Sequence, residues 1–113
     1  MSWPTVIPRI VARDSERLVG FVKSVFGATG DFTTDRPSML TIGNSVIMIS
    51  EAGPRDVTTA YLYVYVDDAD ATYRAALDAG ATSVEVPFDT PYGDRRGMVV
   101  DAWGNSWQIA SRG

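Results

Sequence analysis

The chain has 113 residues, no cysteine, no histidine and a formal net charge of −4. That length suits one compact domain, and the missing residue types exclude disulfides, zinc–thiolate sites and imidazole acid–base chemistry. The acidic balance argues against nucleic acid, whose phosphates call for a basic surface.

Hydrophobic residues at 45% and charged ones at 21% are ordinary for a globular chain. No apolar run approaches the roughly 20 residues that span a bilayer. The N-terminal MSWPTVIPRI lacks the basic flank and long apolar core of a signal peptide. No membrane association and a cytoplasmic location are therefore expected. Lys23 is the only lysine; arginine favours planar recognition of carboxylates and aromatic rings, although scattered, solvated surface arginines are the stronger reading, by roughly 3 to 1.

In chain order, Thr5 to Ala12 is predicted as a first strand, with Pro8 placing it at an edge or a bulge. Asp14 is expected to cap a helix whose Leu18, Phe21, Val22, Val25 and Phe26 form one apolar stripe, stopped at Gly27. Thr29 to Thr34 is expected as a second strand. Ser38 to Ile42 and Ser45 to Ser50 follow as a hairpin joined at Gly43-Asn44. Residues 52–55 then make a linker.

The second half repeats the order. Ala60 to Val66 alternates strictly, with Tyr61, Tyr63 and Tyr65 on one face. Asp68 caps a second helix with Tyr73, Ala76 and Leu77 inward, and Gly80 stops it. A strand over Thr82 to Val86, a loop over Pro87 to Asp94, and strands over Gly97 to Val100 and Ser106 to Ala110 complete the unit. Gly-Asn-Ser occurs at 43–45 and again at 104–106, each time before a strand-like run. The fold class expected is α+β: two βαβββ modules, about 1–52 and 58–113, forming a curved mixed sheet around a cleft with helices on the outer face.

Five segments, in this order, resemble the vicinal oxygen chelate superfamily of glyoxalase I, extradiol dioxygenases, fosfomycin-resistance enzymes and bleomycin-resistance proteins. They are VARD with VFGA (11–14, 25–28), IGNSVIMIS (42–50), YVYVDDADA with DAGAT (63–71, 78–82), YGDRRG (92–97) and DAWGNSWQIA (101–110). The resemblance covers nearly the whole length. It implies paired modules, frequent homodimers, and often a divalent metal held by four His or Glu side chains.

Carried over residue by residue, the metal positions fall at Ile7, at Ile47 (or Met48 if the strand is shifted by one), at Tyr61 and at Gln108. None of these is a good metal ligand. No metal and no other cofactor are expected.

What remains is a ligand-binding set of Ile7, Arg9, Ile47, Met48, Tyr61, Tyr63, Tyr92, Arg95, Trp103 and Gln108. Its aromatic floor and few polar groups suit a small, aromatic molecule, because tyrosine offers stacking area plus a hydroxyl. The tyrosine stripe reads about equally as one half-buried sheet face. Trp107 is expected in the core, and Asp101 is expected to bond its own turn.

No catalytic residue can be assigned. The function expected is metal-independent binding of an aromatic small molecule, held in the cleft between the modules, as in the drug-sequestering, bleomycin-resistance branch. The alternative is a metal-independent isomerase, epimerase or cyclase acting on a secondary metabolite. A homodimer is expected, and the linker around Gly53-Pro54 would let modules exchange between copies.

Overall fold

A computed structural model describes residues 3–113. The chain divides after Ala60 into two compact units. The first contains β1 (Arg9–Ala12), α1 (Ser15–Phe26), β2 (Ser38–Ile42) and β3 (Ser45–Glu51). Its sheet order is β1-β3-β2, with β1 parallel and β2 antiparallel to β3. The apolar stripe of α1 is buried through Leu18, Val19, Phe21, Val22 and Val25, as are Ile10, Leu40, Ile47 and Ile49 of the strands. Each such side chain contributes about 1.5–3 kcal/mol by leaving water.

Three expectations in this unit are corrected. The first strand begins at Arg9 rather than Thr5, immediately after Pro8, whose carbonyl accepts from Met48 N at 2.9 Å. The second expected strand is a single bridge between Thr29 and Thr41. Beyond it, Thr33 turns the chain back on itself: its N–H donates to Ser38 Oγ and its hydroxyl to the Arg36 carbonyl. Gly30 holds φ 121° there, and a Cβ at this position would run into the Met39 carbonyl oxygen.

The third correction concerns the start of α1. Asp14 occupies the cap position in the left-handed region, φ 57° and ψ 49°, and its side chain makes no capping bond. Glu51 at the end of β3 supplies the cap. Its carboxylate accepts from the backbone N–H groups of Asp14 (3.0 Å) and Ser15 (2.9 Å) and from the Ser15 hydroxyl (2.8 Å). These bonds, the two from Ser15 foremost, hold the Glu51 carboxyl below its usual range.

The second unit contains β4 (Tyr61–Tyr65), α2 (Ala69–Asp78), β5 (Thr82–Asp89), β6 (Asp94–Val100) and β7 (Ser106–Arg112). The sheet runs β4-β7-β6-β5, with β4 and β7 parallel and the other neighbours antiparallel. Asp68 caps α2 as expected, accepting from Ala71 N at 3.1 Å. The loop expected over 87–94 is shorter. β5 continues through Pro87 by register shifts, and a turn at 90–93 is closed by Thr90 N–H to the Asp94 carbonyl (2.7 Å) and Asp94 N–H to Thr90 Oγ1 (2.9 Å).

The two units repeat one plan. Arg9, Met48 and Met39 lie side by side across the first sheet as Tyr63, Gln108 and Met98 do across the second. The fold is mixed α+β, and its element order agrees with two βαβββ modules in which one strand of the first is reduced to a bridge.

Candidate functional site

Alternation along β4, β6 and β7 divides the second sheet into two faces. One face meets α2: Trp107 and Ile109 are fully buried, Arg95 pairs with Asp70 of the helix at 3.0 Å, and Ala69 N–H donates to Ser111 Oγ. The Arg95 guanidinium holds the Asp70 carboxyl below its usual range. Trp107 Nε1 donates to Asp101 Oδ2 at 2.8 Å, while Asp101 Oδ1 accepts from the N–H groups of Trp103 and Asn105. The core role of Trp107 and the turn role of Asp101 thus follow the sequence reading.

The face turned away from α2 carries Tyr61, Tyr63 and Tyr65 of β4, Gln108 of β7, and Asp94, Arg96 and Met98 of β6. At its centre lies Asp94, 1% exposed. Asp94 Oδ2 accepts from the Tyr63 hydroxyl at 2.6 Å and from the Tyr65 hydroxyl at 2.8 Å. Arg112 Nε lies 3.4 Å from Oδ1, near enough to pair its charge but not aligned as a hydrogen bond. Oδ1 is therefore buried without a hydrogen-bond donor among the described residues.

The network extends outwards. The Tyr63 hydroxyl is 3.4 Å from that of Tyr92, which accepts from Arg96 Nη1 at 2.8 Å. Arg96 also reaches Glu85 at 3.4 Å and lies over the Phe88 ring, 5.2 Å from its centroid. The rings of Tyr63 and Tyr65 are tilted against each other at 5.4 Å.

Charge and protonation are fixed by these contacts. The Tyr63 hydroxyl, followed by Tyr65, Arg112 and Arg96, holds the Asp94 carboxyl below its usual range against the effect of burial. Burial, and then the bond to Asp94, pushes the Tyr63 phenol well above its usual range. Near neutral pH the centre is the Asp94 carboxylate with the Tyr63 phenol protonated. The hydroxyl protons point inward at Asp94, so what the tyrosines offer outward is ring surface.

Of the residues expected at the site, Tyr61, Tyr63, Tyr92 and Gln108 come together on this second unit. Arg95 does not, because it faces α2 and is held by Asp70 and Asp89. Arg96 takes the position expected of it. Arg9 and Met48 share the corresponding face of the first sheet, whereas Ile47 is buried beside Ile49. Ile7 is half-buried ahead of β1, and Trp103 is half-exposed in the turn between β6 and β7. With the last hairpin expected to start at Gly97, the sequence reading leaves Asp94 on a loop bordering the cleft and gives Arg96 no place in the site; beginning that strand three residues earlier puts both in phase with Gln108.

The sequence matches the Glyoxalase/Bleomycin resistance protein/Dioxygenase superfamily over residues 5–109, and the chain belongs to that superfamily. It is 27% identical to an uncharacterised protein of Mycobacterium bovis, over 94% of this chain and 82% of that relative. It is equally identical to one of Mycobacterium tuberculosis, over 94% of this chain and 73% of that relative. The fold is shared with TioX from Micromonospora sp. ML1, with a TM-score of 0.78 and 22% identity over 97% of this chain and 99% of that one. It is also shared with the fosfomycin resistance protein FosX from Mesorhizobium loti, with a TM-score of 0.73 and 18% identity over 100% and 95%.

Many proteins of this superfamily hold a divalent metal, and the residues at the carried-over positions do not fit one. Ile7 and Met48 (or Ile47) bring no hard donor, Gln108 is a neutral amide, and the Tyr61 hydroxyl lies toward Met98 Sδ at 3.9 Å.

Proposed function

We propose that this protein is a metal-independent small-molecule binder, akin to the drug-sequestering, bleomycin-resistance branch of its superfamily. Its ligand is a flat, partly aromatic compound that stacks on the tyrosine face of the second unit. The observation that carries this reading is the exposure of Tyr61, Tyr65 and Tyr92, at 66%, 52% and 57%, on a face whose hydroxyl network is anchored by a buried carboxylate. Preorganised rings lose little freedom on binding, so their contact area converts efficiently into affinity.

The protonation pattern favours binding over turnover. Asp94 stays ionised and Tyr63 stays protonated across the physiological range, so neither exchanges protons readily there. The fold is also that of a fosfomycin resistance protein, which supports a role in handling a toxic small molecule. A thermal-shift screen against bleomycin-type and other aromatic natural products tests this reading, and a broad panel without a stabilising compound would count against it.

A second reading, a metal-independent isomerase, epimerase or cyclase, rests on Asp94 Oδ1, a buried carboxylate oxygen without a hydrogen-bond donor. Turnover abolished in Asp94→Asn with binding retained would favour it. We also propose a homodimer. Light scattering should give twice the 12.3 kDa chain mass, and a monomer at micromolar concentration would refute it.

A further inference from the structure

We propose that the first unit carries a second site, for a small oxyanion such as the carboxylate or phosphate group of a metabolite. The site is a pocket of about 200 Å³ at the end of β3, formed with the loops at 34–37 and 54–55. Three arginines line it, Arg9, Arg36 and Arg55, within a chain whose net charge is −4.

The carboxylates of the pocket are already engaged. Both oxygens of Glu51 are committed to the start of α1, through the N–H groups of Asp14 and Ser15 and the Ser15 hydroxyl. Asp35 pairs with Arg36 at 3.3 Å. Arg9 and Arg55 enter no ion pair among the described residues. Two guanidinium groups without an ion-pair partner therefore border the cavity, and the Glu51 carboxylate that shares it is turned to the neutral donors at the start of α1.

Their setting suits recognition of an oxyanion. Arg9 Nη2 donates to Ser50 Oγ at 3.1 Å, which orients the guanidinium and leaves its other donors available. A planar fork of donors matches a carboxylate or phosphate edge in two parallel bonds. The exposed Asp35–Arg36 pair contributes little to stability, so Arg36 can turn to the ligand at small cost. The volume has room for roughly six or seven waters, at about 30 Å³ each, and so accepts a group of phosphate or short-carboxylate size.

The test is a titration of the ¹⁵N-labelled protein with inorganic phosphate at pH 7 and constant ionic strength, with acetate in parallel. Saturating amide shifts centred on residues 9, 35–36, 50 and 54–55 are expected. The double variant Arg9→Gln/Arg55→Gln should bind at least about tenfold more weakly, since both bidentate partners are lost. Both side chains are exposed, and Arg55→Gln alone, on the linker, provides a milder variant should the double one lose its dispersed spectrum. Tighter saturation by phosphate than by acetate identifies a phosphate site, and the reverse a carboxylate site. Shifts that never saturate, that persist in the variants, or that centre on Arg96 and Arg112 would overturn the proposal.

Discussion

The hydroxyl of Tyr63, on edge strand β4, donates to Asp94 Oδ2 at 2.6 Å, although Asp94 lies two strands away on β6. The bond crosses above β7 and ties three strands together on the face turned away from α2. Tyr63→Phe removes it and leaves the half-exposed ring in place. A loss of about 1 kcal/mol is expected, read from urea unfolding. Asp94→Asn should destabilise more, because it removes the charge that Tyr63, Tyr65 and Arg112 all face. Equal stability of wild type and both variants would mean that the network is incidental.

Stability should fall at both ends of the pH scale. Asp94 and Glu51 have folded pKa values below their ordinary 3.8 and 4.5, so the unfolded chain takes up protons first on acidification. Their contribution is present above those ordinary values and is lost as pH falls below about 4. Tyr63 is shifted the other way, above its ordinary 10.0. Its contribution is present below pH 10 and is lost as pH rises beyond it, because the unfolded chain ionises first. Melting temperature followed from pH 2 to 11 checks both limbs. In Tyr63→Phe the alkaline limb should flatten.

Trp107 is completely buried, and its indole N–H is bonded to Asp101. Trp107→Ala combines a large cavity with an Asp101 oxygen left short of a donor. The expected cost is about 3–5 kcal/mol. Near-ultraviolet circular dichroism and urea unfolding would report it, and a cost under about 1 kcal/mol would contradict the assignment of Trp107 to the core.

The side chains at Ile7, Met48, Tyr61 and Gln108 predict weak affinity for divalent metals. Protein purified without chelator should carry no stoichiometric metal, and EDTA should leave its melting temperature unchanged. One tightly bound equivalent would overturn that reading.

The element order was legible in the sequence wherever periodicity was strong, as in the α1 stripe and the β4 alternation. The α1 cap was not, because its carboxylate comes from Glu51, thirty-seven positions from Asp14 in sequence and adjacent to it only once β3 has formed. Phase was the other difficulty. The repeated Gly-Asn-Ser aligns Ile47 with Gln108, yet β2 and β3 pair closely at Ile42 and Ser45, whereas residues 101–105 separate β6 from β7. A one-residue slip reverses a strand's faces, so Met48 rather than Ile47 matches Gln108. Arg95 stands in the expected set in place of Arg96 for a different reason: the strand that carries both is expected to begin only at Gly97, so the sequence reading assigns neither to a face.

The central claim is that the tyrosine face binds a flat aromatic ligand. The direct measurement is a thermal-shift panel of aromatic natural products, bleomycin included, run on the wild type and on Tyr61→Ala/Tyr92→Ala. The wild type should be stabilised by at least one compound, by about 2.7 kcal/mol at one hundred times its dissociation constant. The double variant should melt near the wild type without ligand and lose most of that stabilisation. Stabilisation of equal size in both proteins, or none across the panel, would contradict the account.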